Sequence, residues 1–262
     1  MSRDTDSDWE IWGENDPYFG VCTMDQFRLG RMTNESRAEF FRTGEGDVRR
    51  WIDYCRRHID PDFEPKRALD FGCGVGRLLI ATARIAEEVT GIDVSESMLE
   101  EARKNCEEFS LNNVTLLKSD DRLSLLKGEF DFVYSHIVIQ HIPPERGTVI
   151  IERLVDHLAS GGIGYLQMTY AHEECRETLG VPPPSMRHGF KEQPKLIKGA
   201  KRLVKKLIGR PDLSLREPPM QMNVYNLNQV MYILQQKGVT DLHVTFTNHS
   251  GIFGAALYFR RP

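Results

Sequence analysis

Three glycines at alternate positions, in the stretch Lys66-Arg67-Ala68-Leu69-Asp70-Phe71-Gly72-Cys73-Gly74-Val75-Gly76-Arg77-Leu78, restrict the folds open to this chain more than any other feature. Ala68 and Leu69 continue a short apolar strand and Asp70 stands at its end. Gly72, Gly74 and Gly76 then remove side chains where the backbone must bend tightly and come close to a ligand. Leu78-Leu79-Ile80-Ala81 begin the next helix. The stretch reads as a strand turning sharply into a helix, with a cofactor seated on the turn. A dinucleotide fingerprint would need its third glycine at position 77, where this chain has Arg77, so NAD and FAD are disfavoured.

The pattern downstream alternates: strand 67–71, helix 76–87, strand 88–93, helix 97–109, strand 113–118, strand 130–135, helix 145–159, strand 162–169. Strands separated by helices of this length imply parallel crossover units, hence an α/β fold with a doubly wound sheet. A chain of 262 residues accommodates one such domain with additions. The formal net charge of -4 provides no overall basic field, so a chain-wide nucleic-acid footprint is absent. Five scattered cysteines without a C-x-x-C pair indicate neither a zinc site nor a disulfide framework. The acidic start lacks a basic, apolar leader and no stretch reaches membrane-span length, so a cytoplasmic protein is expected.

The order D-x-G-x-G-x-G, from Asp70 through Gly72, Gly74 and Gly76, resembles motif I of the class I S-adenosylmethionine-dependent methyltransferases. Asp93 ends the second strand roughly 20 residues past the glycine turn, a placement that suits a carboxylate accepting from ribose hydroxyls. Ser95 and Ser97 stand closer to the next helix and can cap it. The resemblance implies that Val94 and Met98 pack against the adenine. It also implies that an acid at the end of strand three, Asp120 with Asp121 beside it, accepts from the adenine amine. Phe130-Asp131-Phe132-Val133-Tyr134-Ser135-His136 through His141-Ile142 resembles motif IV and its continuation in small-molecule methyltransferases. On that resemblance, which covers residues 66–169, Ser135 and His136 lie along the methionine portion of the cofactor and His141 lies at the mouth of the substrate pocket. The implied sheet is seven-stranded, mostly parallel, in the order 3-2-1-4-5-7-6. Enzymes that methylate planar amines commonly carry Asp/Asn/Ser-Pro-Pro-aromatic at motif IV; here Ser135 is followed by His136-Ile137-Val138, which disfavours nucleobase or glutamine amines.

Around this core, residues 1–60 are expected to form an N-terminal helical lid, with Tyr18 and Phe19 closing the pocket or packing the helices on the core. Residues 61–170 form the cofactor domain. Residues 171–223, punctuated by prolines, form an insertion after strand five, and 224–262 supply a last helix and an antiparallel strand pair. Within the insertion, residues 195–208 place apolar side chains on one helical face and lysines on the other. That face suits either plain solvation or contact with an anionic acceptor, a carrier protein or a membrane surface. Tyr225 and His249 either border the substrate or serve packing and turn roles.

The resemblance implies methyl transfer from S-adenosyl-L-methionine to a hydroxyl, or next an amine, of a small molecule, with S-adenosyl-L-homocysteine as product and no metal. His141 is the candidate base or acceptor-orienting group. The rival readings are an RNA or protein methyltransferase, and a cofactor-binding regulatory or scaffold protein that transfers nothing.

Overall fold

The computed structural model describes residues 4–182 and 217–262. Its sheet has seven strands: β1 (Arg67–Phe71), β2 (Glu88–Asp93), β3 (Val114–Lys118), β4 (Phe130–Ser135), β5 (Leu158–His172), β6 (Leu242–His249) and β7 (Ile252–Arg260). They lie in the order β3-β2-β1-β4-β5-β7-β6. The first five pair in parallel, and β7 runs antiparallel to both β5 and β6. β1 is central, with Leu69 opposite Thr90 on one side and Val133 on the other, and its last four residues are buried. A parallel strand covered on both faces reads as an unbroken apolar run, which is why Ala68-Leu69 marked it in the sequence.

Among the described residues seven α-helices flank the sheet: α1 (Thr5–Asn15), α2 (Pro17–Val21), α3 (Asn34–His58), α4 (Arg77–Ala83), α5 (Glu96–Glu108), α6 (Pro144–Asp156) and α7 (Leu227–Gln236). One buried cluster joins α3, α4 and α5 to one face through Phe40, Trp51, Leu79, Met98, Phe132 and Tyr134. The other joins α6 and α7 to the opposite face through Leu69, Ile151, Leu154, Val230, Leu234 and Leu257. The helices thus cover both faces, as expected.

Several boundaries differ from the sequence reading, each for a physical reason. Within the N-terminal helical segment, the residues from Asn34 on form the single 25-residue helix α3, opened by a Thr33/Ser36 capping box. It runs straight through Gly44 because α3 presses against α4 there: a Cβ on Gly44 would collide with the Arg77 carbonyl oxygen. β5 runs longer than 162–169 because its antiparallel partner continues the ladder as far as His172 opposite Ile252. The last helix starts at Leu227, capped by the Asn226 side chain accepting from the Asn228 amide. The start of the described chain is α1, whose N-cap is Asp4. The basic stretch 195–208 lies outside the described residues. No helix among the described residues is long and apolar enough to cross a membrane.

Candidate active site

Parallel strands end on one edge of the sheet, and in such sheets ligands bind in the crevice outside those carboxyl ends. Here a cavity of about 940 Å³ lies along that edge, from the loop after β3 to the β6–β7 turn. The glycine turn forms its floor. Gly72, Gly74 and Gly76 all have positive φ (76°, 52° and 90°), and a Cβ on Gly72 would collide with Val138, another wall residue. Only glycine fits that backbone path.

Asp93 is held from two sides. The Gly74 amide donates to one carboxylate oxygen at 2.9 Å and the Ser95 amide to the other at 2.9 Å. Burial pushes its pKa up to about 6, while the backbone N–H groups of Ser95 and Gly74 pull the other way. Each oxygen retains a further lone pair for a ligand donor. Ser95 caps α5 through its hydroxyl, which accepts from the Met98 amide at 3.1 Å, so Asp93 is not needed as the cap.

Gly72, Gly74, Asp93, Val94 and Met98 line the cavity, as do Asp120, Asp121, His136 and His141. The two acids after β3 are engaged by different partners. Asp120 is exposed, and one of its oxygens accepts from the Arg122 and Ser124 amides at 2.9 and 3.0 Å in its own turn. Those donors hold its carboxyl below the usual range, the Ser124 amide foremost. Asp121 is gripped by Arg146, whose Nε and Nη2 each donate to it at 2.7 Å.

Six expected site residues stand outside the wall. Asp70 is buried beneath the glycine turn, where desolvation raises its pKa to about 8. Gly76 serves as the left-handed N-cap of α4. Ser135 is buried and donates to the Phe71 carbonyl at 3.2 Å, tying β4 to β1. Tyr18 is buried in the core, donating to Glu101 at 2.8 Å and to Asn105 at 2.9 Å, so it packs the helices rather than closing the pocket. Phe19 stacks on Trp12 and under the Arg28 guanidinium, 3.5 Å from its ring centre. Tyr225 is buried and its hydroxyl donates to the Ile142 carbonyl at 2.8 Å.

The two histidines are set by burial. His141 points Nδ1 at the Gln221 carbonyl at 2.6 Å, and Trp9 meets its ring edge-on at 4.9 Å. A carbonyl only accepts, so Nδ1 carries the proton and Nε2 is the basic atom. Desolvation lowers its pKa to about 4, against a smaller opposing pull from the Gln221 and Ile137 backbone. His136 lies against Trp51 with Nδ1 2.8 Å from the Tyr165 hydroxyl, and burial holds it well below the usual range.

Of the other wall residues, Arg77 and Ile137 escaped the sequence reading as site residues, whereas His249 was named there as bordering the substrate or serving the turn. Arg77, first residue of α4, donates to Asp47 of α3 at 2.7 Å and to Thr43 at 3.1 Å; all three line the cavity. Ile137 holds φ 57°, an uncommon conformation for a β-branched residue, with its amide donating to Gln167 at 3.0 Å. His249 lines the far end in the β6–β7 turn. Only the arginine after the glycines, and the histidine in the Asn248-His249-Ser250-Gly251 turn, offered a sequence signal for this half.

Residues 68–162, which carry the glycine turn, Asp93 and the β4 segment, match the family model described as a methyltransferase domain. Over that stretch the chain is similar to methyltransferase domains. The seven-stranded order seen here is the one expected from that resemblance. The chain is 35% identical over 114 residues to a magnesium-protoporphyrin O-methyltransferase of Synechocystis, covering 43% of this chain and 45% of that protein. It is 33% identical over 101 residues to a ubiquinone biosynthesis O-methyltransferase of Thiobacillus denitrificans, covering 38% and 41%. The alignments span about half or less of those curated relatives' lengths. Among solved structures, the magnesium protoporphyrin IX methyltransferase of Synechocystis with bound SAM superposes with a TM-score of 0.59, 18% identity and coverage of 100% of this chain and 99% of that one.

Proposed function

We propose that the protein transfers a methyl group from S-adenosyl-L-methionine to a hydroxyl, or secondarily an amine, of a small-molecule acceptor. The observation that carries this reading is the Asp93 carboxylate, fixed by the Gly74 and Ser95 amides at 2.9 Å in the floor of a cavity built on side-chain-free backbone. A ribose diol fits a fixed pair of carboxylate oxygens, and the glycine cradle suits close approach of a nucleoside. Val94 and Met98 supply apolar contact beside it, and Asp121 a polar edge. The magnesium-protoporphyrin and ubiquinone-biosynthesis relatives favour oxygen as the acceptor atom.

When bound, the cofactor supplies an electrophilic methyl on a sulfonium. The chain's part is to align the acceptor with that methyl and exclude water. The β6–β7 half of the cavity is the acceptor's place, since the adenosine half is taken by β1–β3 residues. His141, neutral at physiological pH, offers Nε2 as an acceptor for the incoming hydroxyl. A pKa near 4 makes it a weak proton acceptor, so orientation is the role we assign it. Arg77 and Arg146 are the lining arginines among the described residues, and both are paired with carboxylates.

Calorimetry with S-adenosyl-L-homocysteine against NAD tests the cofactor. Incubation with methyl-labelled S-adenosyl-L-methionine and a metabolite extract, read by mass spectrometry, tests transfer. Binding of NAD in preference refutes the cofactor assignment. Cofactor binding without labelled product from any acceptor favours the non-catalytic binding role.

A further inference from the structure

His141 and His136 both line the cavity, and each is clamped so that one ring nitrogen is left for a ligand. His141 is fixed through its main chain as well as its ring. Thr5 of α1 donates from its hydroxyl to the His141 carbonyl at 2.9 Å, and the neighbouring Asp6 accepts from Arg146 Nη1 and Nη2 at 3.0 and 2.8 Å. With Nδ1–H on the Gln221 carbonyl, its Nε2 is a hydrogen-bond acceptor.

His136 is built the other way round. It follows the last residue of β4, and β5 holds it twice. Tyr165 grips the ring at 2.8 Å, and Gln167, on the same face of β5, takes the next amide at 3.0 Å. Trp51 stacks on Tyr165 at 4.3 Å and packs against the imidazole at 4.9 Å. Immediately after it the Ile137 backbone turns left-handed, at φ 57°. Such strain persists where the surroundings impose it, and it clusters at functional sites.

The Tyr165 hydroxyl decides the tautomer. It is buried and burial keeps it protonated, and among the described residues its hydrogen-bond partner is His136 Nδ1. The hydroxyl therefore donates to Nδ1. Burial keeps the imidazole neutral, so its single ring proton sits on Nε2. Among the described residues no group hydrogen-bonds to that atom, and it is not sealed in the core as the Nε2 atoms of His172 and His243 are. His249 of the β6–β7 turn acts on the same ring, which puts the N–H in the half of the cavity assigned to the acceptor.

We propose that His136 is a specificity-determining residue whose Nε2–H donates to a carbonyl oxygen of the acceptor, while His141 Nε2 accepts from its hydroxyl. The acceptor class is then a hydroxylated carbonyl compound, and Tyr165 is a positioning residue that holds the tautomer. The inference rests on the methyl-transfer reading above. The Ile137 backbone, next to His136, also pulls on the His141 ring, so the two rings are near enough for one small molecule to engage both. A hydrocarbon in place of the carbonyl would leave a buried N–H unpaired, and sites built to hydrogen-bond a group discriminate strongly against analogues that lack it.

The test uses the full chain and has two arms. The first reads the ring nitrogens of isotopically labelled histidines by NMR at neutral pH, with His136→Phe and His141→Asn assigning the signals. His136 should carry its proton on Nε2 and His141 on Nδ1, and Tyr165→Phe should give His136 a mixture of tautomers. The second arm compares meta- and para-hydroxyacetophenone with meta- and para-ethylphenol, using methyl-labelled S-adenosyl-L-methionine. Wild-type kcat/KM should favour each ketone about ten- to hundredfold. His136→Phe should abolish that preference and leave the Kd of S-adenosyl-L-homocysteine unchanged, and Tyr165→Phe should reduce it. A proton on His136 Nδ1 overturns the proposal. So does equal kcat/KM for ketone and ethyl partner, or labelling of neither series by protein that binds S-adenosyl-L-homocysteine and labels another acceptor. A weaker Kd for S-adenosyl-L-homocysteine in His136→Phe, with the ketone preference intact, overturns it in favour of a cofactor contact. Protein that binds S-adenosyl-L-homocysteine but labels nothing in a metabolite extract overturns the methyl-transfer reading instead, and the tautomer measurement still decides which atom His136 presents to the cavity.

Discussion

Replacing Asp70 by Asn is expected to stabilise the fold by an amount that grows with pH. Asp70, next to last in β1, is fully buried with Oδ2 lacking a hydrogen-bond partner, and desolvation raises its pKa from 3.8 to about 8. The Asp93 charge adds to the rise, while the Tyr134 hydroxyl and Arg77 oppose it. Between those two values the folded state keeps the proton and the unfolded chain releases it. Stability from this group is thus present at low pH and is lost as pH rises, at about 1.4 kcal/mol per unit. At neutral pH the accumulated loss is at most about 4 kcal/mol, reduced by whatever relaxation the site allows. Asn never ionises, so the variant escapes that loss. Urea unfolding of both proteins at several values between about pH 5 and pH 7.5 should show a stability difference that widens by about 1.4 kcal/mol per unit in favour of Asn, then levels above about pH 8. Other titrating groups cancel in the difference. A pH-independent difference would refute the reasoning, because it would mean that Asp70 is already ionised in the folded state.

Gly44→Ala should destabilise the protein by about 1–3 kcal/mol in denaturant unfolding, because the new Cβ collides with the Arg77 carbonyl and separates α3 from α4. Asp93→Ala should weaken S-adenosyl-L-homocysteine binding by about 1.5–3 kcal/mol for each charge-assisted hydrogen bond lost, read by calorimetry. His141→Asn should retain substantially more turnover than His141→Ala if the residue orients the acceptor, whereas equal losses would mark it as a base. Since burial holds His141 near pKa 4, its share of stability is complete above about pH 6.5 and falls as pH drops towards 4, so acid unfolding of His141→Ala should be less steep in that window.

The sheet was legible because its central strands are buried on both faces and its turn requires glycines. Apolar runs and positive-φ positions are local properties that a sequence displays directly. Asp93 was legible for the same reason, since strand-end acids follow strand ends. The choice between Asp120 and Asp121 was not legible, because it depends on Arg146, 25 residues further on, taking one carboxylate while local amides take the other. Ser135 and His136 look equivalent in sequence, yet Ser135 ends β4 and is tied to the Phe71 carbonyl while His136 opens the loop beyond the strand, and only His136 reaches the cavity. Tyr18 and Tyr225 stay open between pocket and packing roles in the sequence, because exposed and buried tyrosines are alike in composition. What distinguishes them is a hydroxyl partner distant in sequence, Glu101 and Asn105 for one and Ile142 for the other.

The contact between Asp6 and Arg146 spans 140 residues. At roughly 5–20 residues per second of synthesis, the first helix leaves the ribosome about 7–28 s before the arginine that fastens it exists. The core surface that receives Trp12 and Gly13 is itself made only once α5 has been translated. The beginning of this chain is therefore made first and fastened late, and during translation its tryptophans Trp9 and Trp12 wait in solvent for a site that later residues must build.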